Sequence, residues 1–173
     1  MPRPDVADRY HRPDGCSHER RVLLYRRPAG GTDGLEVLLA HPGGPYFAKR
    51  DLGDWTIPKG EPDGAAEAPI DVALREFEEE TGTALDGRSP AIALGTIVQK
   101  GGKVVHGWAI EGDLDPERAS SNTIWLEWPP RSGQRQAFPE IDRVAWFDLD
   151  EARRRIKPTQ TPFIDRLEVA LRR

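Results

Sequence analysis

A single α/β domain, built as a mixed α+β sheet with helices on its faces, is the fold class this sequence predicts. Three observations carry it: paired apolar runs in the first third of the chain, one long amphipathic segment in the middle, and helical segments at the end. The 173 residues suit one domain, and no internal repeat is visible in them.

The first nineteen residues mix Pro, Asp, Arg, His and Gly without a period and are expected to form a mobile N-terminal arm, leaving 20–173 as the folded domain. Arg21 to Arg26 and Glu36 to His41 read as strands around Val22-Leu23-Leu24-Tyr25 and Val37-Leu38-Leu39-Ala40, with the Gly-rich stretch from Pro28 to Gly34 as their hairpin loop. Pro42 to Gly53 is a further loop, and Asp54 to Ile57 a short strand that Pro58 ends. Ile70, Ala73, Leu74, Phe77 and Thr81 then gather within about 100° of arc on a helical wheel, the width of a core-facing stripe. Gly82 stops that helix. Ala91 to Lys100 and Lys103 to Glu111 flank Gly101-Gly102, the signal of a two-residue hairpin. Thr123 to Trp128 and Arg143 to Leu149 are two more strands, separated by a loop from Pro129 to Arg135. Helices from Asp148 to Ile156 and Pro162 to Leu171 close the chain, the second with Phe163, Ile164, Leu167, Ala170 and Leu171 on one face.

Composition excludes several classes. Hydrophobic residues make up 37 % of the chain, or about 45 % with glycine counted in and tyrosine out, enough for a thin core. Five Trp, three Tyr and five Phe supply bulk for it and argue against general disorder. The apolar runs fall far short of the ~20 residues of a spanning helix, and Met1-Pro2-Arg3-Pro4-Asp5 has no apolar signal region behind it, so neither membrane nor export is expected. Cys16 stands alone, which leaves no intramolecular disulfide and points to a reducing cytoplasm. A net charge of -4 gives no global attraction to duplex nucleic acid, while a local basic patch could still hold a small polyphosphate.

The chemistry concentrates in Arg75-Glu76-Phe77-Glu78-Glu79-Glu80. Glu76, Glu79 and Glu80 stand at i, i+3 and i+4, one cluster beside the apolar stripe, with Glu78 pointing elsewhere. Like charges at that spacing destabilise a helix by ~0.2–0.5 kcal/mol per pair. A hard divalent cation taking carboxylate oxygens offsets the repulsion directly. A solvated acidic face is the plain alternative, and the surrounding residues turn the reading away from it. Trp55-Thr56-Ile57-Pro58-Lys59-Gly60 leads toward the helix, Glu67 lies eight positions before Arg75, and Thr81-Gly82 follow the last carboxylate.

Together Gly60, Glu67, Arg75 to Glu80 and Gly82 resemble the signature of the Nudix hydrolases, G-x5-E-x7-R-E-U-x-E-E-x-G-U, where U is bulky and apolar. Two positions depart from it: six residues rather than five separate Gly60 from Glu67, and Thr83 stands at the last U, with Ala84-Leu85 behind it. Which glycine supplies the usual backbone carbonyl to the metal is left open by the first departure. Further runs, Gln99 to His106, Glu127 to Gly133 and Phe138 to Arg143, look like a bacterial subgroup described as predicted nucleoside-triphosphate pyrophosphohydrolases.

The resemblance implies the Nudix α/β/α sandwich from Arg20 to Leu171 and an enzyme that hydrolyses a nucleoside diphosphate linked to another group, by water attack at phosphorus. Nucleoside triphosphates, dinucleoside polyphosphates and nucleotide sugars are the substrate options. It implies Mg²⁺, with Mn²⁺ as the alternative ion, held by Glu76, Glu79 and Glu80, with Gly60 either presenting its carbonyl to the metal or permitting the turn. One of these glutamates could double as base, and Arg75 buttresses loop and helix through Glu67 or Glu79. Glu140, six positions before Trp146, occupies a place from which a further carboxylate reaches the site in this family, as general base or extra metal ligand. A surface glutamate beside Pro139 is its alternative. For the substrate, Lys59 is placed to meet phosphate, with a rim charge as its alternative. Trp128 with Arg131 and Arg135 could stack a base while the guanidinium groups hold phosphate, a packed loop aromatic with solvated charges being the equal alternative. His106 alternates with Val104, Trp108 and Ile110 and reads as a core histidine, while Lys100 and Lys103 read as solubilising hairpin charges. The competing class is a catalytically silent Nudix-fold sensor that binds a nucleotide and regulates a partner. Otherwise the expected partner is the small substrate, with no duplex nucleic acid, no membrane, and a homodimer left open.

Overall fold

The computed structural model describes residues 18–28, 34–60, 68–85 and 89–172. The arm through Cys16, most of the first hairpin loop and Glu67 lie outside the described residues. Among the described residues there are eight strands: β1 His18–Arg26, β2 Glu36–Pro42, β3 Lys59–Gly60, β4 Ile92–Val98, β5 Val104–Glu111, β6 Thr123–Glu127, β7 Arg135–Pro139 and β8 Ile141–Asp148. The helices are α1 Pro69–Thr81, α2 Leu149–Arg155 and α3 Thr161–Leu171. The main sheet runs β4-β5-β1-β2-β8, with β3 on the end of β1; among the described strands its β1–β5 pair is parallel and the others are antiparallel. Among the described residues no helix is long and apolar enough to cross a membrane.

The continuous apolar run in β1 reflects burial on both faces. Val22 and Leu24 pack with Ala73 and Phe77 of α1 on one side. Leu23 and Tyr25 pack with Phe163, Ile164 and Leu167 of α3 on the other. The sheet is thus enclosed between α1 and the C-terminal helices, the predicted sandwich. β5 approaches α3 so closely that a Cβ on Gly107 would lie 2.6 Å from Cε1 of the buried Phe163. Gly107→Ala is therefore expected to destabilise the fold by about 1–3 kcal/mol through overpacking, measured as a drop in thermal midpoint.

Five local expectations are corrected. β1 begins at His18, so His18 and Glu19 belong to the sheet and not to the arm. Glu19 is buried and paired with Arg21 at 2.6 Å and Lys103 at 2.7 Å. Burial pushes its carboxyl up, but the two cations outweigh that and hold it below the usual range. Lys103 is accordingly an ion-pair partner of a buried acid rather than a solubilising charge. Asp54 to Ile57 is not a strand but two isolated bridges, Ala40 to Thr56 and Trp55 to Ile156. Its polar groups are taken by other elements: Arg21 donates to Thr56 Oγ1 at 2.6 Å and to the Ile57 carbonyl, and the Ile57 N–H donates to Gln160 at 3.0 Å. The Gly101-Gly102 hairpin is a three-residue connection, closed by Gln99 N–H to the Lys103 carbonyl at 2.8 Å, with both glycines at positive φ. Finally, the stretch before β8 holds a strand the sequence does not announce. β7 pairs antiparallel with β6 as a separate two-stranded ribbon, Glu127 opposite Arg135, which shortens the Pro129 to Arg135 loop to a hairpin tip.

Candidate active site

Helix α1 starts with Pro69 and ends at Gly82, whose φ of 71° lets its N–H close onto the Glu78 carbonyl at 2.7 Å. Its buried side carries Val72, Ala73 and Phe77, and three residues beyond Phe77 that same side delivers Glu80 into the protein. Glu80 is 5 % exposed, and its Oε2 accepts the Lys59 backbone N–H at 2.6 Å. Burial pushes its carboxyl up to about 8; the Lys59 N–H and ammonium oppose the rise, and Glu140 adds to it.

The other two glutamates of the cluster point elsewhere. Glu79 is exposed and Glu76 half-buried. One nitrogen of Arg75 donates to Glu76 at 3.2 Å and to Glu79 at 3.3 Å, so a guanidinium offsets the like-charge repulsion on this face. Glu79 is one of the two buttress partners expected for Arg75, and Glu67, the other, lies outside the described residues. Among the described residues no three His, Cys, Asp or Glu side chains converge closely enough to hold one ion. The donor set nonetheless suits a hard divalent cation. Glu76, Glu79, Glu80 and Glu140 offer carboxylate oxygens, β3 places the Gly60 backbone beside Lys59, and the buried Glu80 carboxylate is a group whose charged form a cation stabilises.

Lys59 joins this helix to Glu140. Its backbone binds Glu80 while its ammonium lies 3.7 Å from Glu140 Oε1. Glu140 is half-buried and held by its own backbone, N–H to the Asn122 carbonyl at 2.8 Å and carbonyl from the Gly43 N–H at 2.9 Å. Lys59, Glu80 and Glu140 are therefore brought together from three separate elements.

Trp128, Arg131 and Arg135 sit on the β6–β7 ribbon. Trp128 meets the edge of Tyr46, ring centroids 5.5 Å apart and planes at 87°. Arg131 occupies the exposed tip at φ 63°, and the exposed Arg135 donates to the Trp125 carbonyl at 3.4 Å. No described contact joins either arginine to the glutamates. His106 is half-buried rather than a core residue, bonded to His18 at 3.1 Å and stacked on Trp108, and burial followed by His18 lowers its pKa. Two residues escaped the sequence reading. Tyr46 is an aromatic left 54 % exposed in a Gly- and Pro-rich loop, a combination that could have flagged it. His41, the polar end of an apolar strand, is fully buried.

A mixed sheet between one glutamate-bearing helix and two C-terminal helices defines the Nudix-type sandwich. The NUDIX domain model matches residues 16–167, and the chain belongs to that family. A curated relative, an 8-oxo-(d)GTP phosphatase of Mycolicibacterium smegmatis, is 32% identical over 126 residues, covering 66% of this chain; the match spans about a third of that relative's length, 35%. Among solved structures, a C. elegans Ap4A hydrolase binary complex aligns with TM-score 0.61 at 19% identity, covering 89% of this chain and 98% of that one. The NUDIX domain of Shewanella oneidensis NrtR complexed with ADP ribose aligns with TM-score 0.61 at 15% identity, covering 96% of each chain. These structural likenesses establish the fold.

Proposed function

We propose that this protein is a divalent-metal-dependent pyrophosphohydrolase that cleaves a nucleoside diphosphate linked to another group, by water attack at phosphorus. The observation that carries the reading is the meeting of Glu80, Lys59 and Glu140 beside a helix whose glutamates keep the family spacing. The similar proteins are named for nucleotides too, 8-oxo-(d)GTP, Ap4A and ADP ribose, which supports a substrate of that class. The lone cysteine supports a reducing cytoplasm as the working compartment.

Glu76, Glu79 and Glu80, with the Gly60 carbonyl, would hold Mg²⁺ or Mn²⁺, and the ion when bound supplies neutralisation of phosphate charge and a lowered water pKa. The chain's own residues do the rest. The Lys59 N–H fixes the orientation of Glu80, and Arg75 keeps Glu76 and Glu79 aligned along the helix. The Lys59 ammonium, 39 % exposed in its side chain, faces the incoming phosphates, and Glu140 beside it takes the proton of the attacking water. Trp128 and Tyr46 stack the base, and Arg131 and Arg135 meet the distal phosphate or sugar.

The decisive experiment is phosphate release from a panel of nucleoside triphosphates, dinucleoside polyphosphates and nucleotide sugars, with Mg²⁺ and with chelator. Metal-dependent turnover on at least one member is expected. Binding without turnover on any member transfers the reading to a nucleotide sensor. The helix meets only phosphates, which all candidates share, so selectivity resides in the segment from Trp128 to Glu140. Trp128→Ala and Arg131→Ala are expected to change relative kcat/KM across the panel by roughly tenfold, the scale of ~1–3 kcal/mol for a stacked base, with metal dependence intact. Uniform loss on every substrate, or no loss at all, removes the assignment.

A further inference from the structure

His41 and Asp142 form a contact between positions 101 apart in the chain, two positions from Glu140 and outside the reaction described above. His41 is fully buried at the end of β2. Its Nδ1 meets Asp142 Oδ1 at 2.8 Å, and its Nε2 donates to the Arg50 carbonyl at 2.7 Å. Both partners are acceptors, and the ring ties the 43–54 loop carrying Tyr46 to the start of β8, directly after Glu140.

The β2–β8 ladder shows what this contact holds in place. His41 pairs with Arg143, but the next residue, Pro42, pairs with Ile141, so Asp142 is an extra residue without an opposite number. Such a bulge offsets the alternation of side chains by one position. The offset is visible in the core: Ile141 and Val144, three residues apart, both pack in the cluster under α1, which a regular strand would not allow. Without the extra residue, Ile141 would turn away from α1, and Glu140, directly before it, would turn with it, off the Lys59 ammonium that it now meets at 3.7 Å. The approach from the other side is equally tight. A Cβ on Gly43 would lie 2.0 Å from the Pro139 carbonyl oxygen, and Ser121 Oγ accepts the Ile141 N–H at 3.0 Å.

We propose that His41 and Asp142 are positioning residues: the buried imidazole pins the Asp142 bulge and thereby sets the direction of Glu140 toward Lys59 and Glu80. This rests on the reading of Glu140 as a working member of the site. Its chemical content is that the Asp142 bond governs kcat through Glu140, while the Arg50 bond governs KM through the loop that carries Tyr46.

The test uses steady-state kinetics on the panel nucleotide with the greatest Mg²⁺-dependent turnover. Asp142→Ala, a partly exposed position, is expected to lower kcat by about 10–100-fold with little change in KM, the scale of a misplaced reacting group. Asp142→Asn, which keeps an acceptor oxygen, restores it. In a Glu140→Gln background Asp142→Ala has no further effect, because both act through one carboxylate. His41→Asn keeps a donor near the Nδ1 position and retains kcat with a raised KM. His41→Gln keeps one near Nε2 and shows the reverse. Should Asp142→Ala fail to fold, the two histidine variants decide between them, since equal or opposite behaviour overturns the proposal. Wild-type kcat in folded Asp142→Ala, no recovery in Asp142→Asn, or a full additional loss on top of Glu140→Gln also overturns it. If Glu140→Gln itself turns over normally, the role of Glu140 fails and this proposal with it. If Glu140→Gln is impaired and Asp142→Ala is not, only the proposal fails.

Discussion

Glu79→Gln and Glu80→Gln each lower Mg²⁺-dependent turnover by about 10²–10⁴-fold, while the protein still folds. A neutral amide is a poor ligand for a hard cation, and a reaction that brings phosphate charge into an acidic site depends on that cation for much of its charge compensation. Folding survives for different reasons at the two positions. Glu79 is exposed, and its loss removes only a 3.3 Å contact with Arg75 that water competes for. Glu80 is buried, but an amide oxygen can still accept the Lys59 N–H. Circular dichroism and initial rates on the same preparations check both halves. Near-normal rates in both variants would falsify the metal-ligand assignment.

Glu80 also makes the chelated protein lose stability as pH rises. Its carboxyl is raised in the folded state to about 8 from an ordinary 4.5, chiefly by burial, so between those values the folded chain keeps a proton that the unfolded chain has released. Stability from this group is full below the unfolded value, falls through the window at up to roughly 1.4 kcal/mol per pH unit, and levels off above the folded value. Glu19 works in the opposite sense, since its depressed carboxyl costs stability as pH falls. The informative quantity is therefore the difference between wild type and Glu80→Gln in chelator, measured by denaturant unfolding from pH 5 to pH 9. Wild type should decline relative to the variant across that range, and Mg²⁺ should reduce the decline by favouring the charged carboxylate. Parallel curves for the two proteins in chelator would remove the claim that Glu80 is folded into a desolvated, proton-holding environment.

Helix α1 was legible because everything that makes it is local. The apolar stripe from Ile70 to Thr81, the stop at Gly82 and the glutamate spacing all lie within one short window, and a helix converts spacing into direction by a fixed rotation per residue. The same holds for β1 and β2, whose apolar runs announce burial on both faces, and for α3. The Arg75 to Gly82 core of the family signature lies in this window, which is why the class of chemistry is legible without any contact. Glu76, Glu79 and Glu80 nonetheless look equivalent on a wheel, and they are not. Docking α1 on the sheet buries Glu80 against the Lys59 backbone and leaves Glu79 in solvent beside Arg75.

Other features depend on partners far away in the chain. Glu19 belongs to a strand rather than an arm because Lys103 and Arg21 compensate its charge, and β7 exists because β6 lies beside it. Tyr46 faces Trp128, and the buried His41 holds the bulged Asp142 next to Glu140, through contacts that leave no periodic trace in either segment. The class of fold and the carboxylate helix follow from local sequence, since periodicity and capping are short-range physics. Which carboxylate is desolvated, where Glu140 points and which aromatics meet were decided only when the elements packed, because burial and long-range hydrogen bonding are properties of the assembled chain.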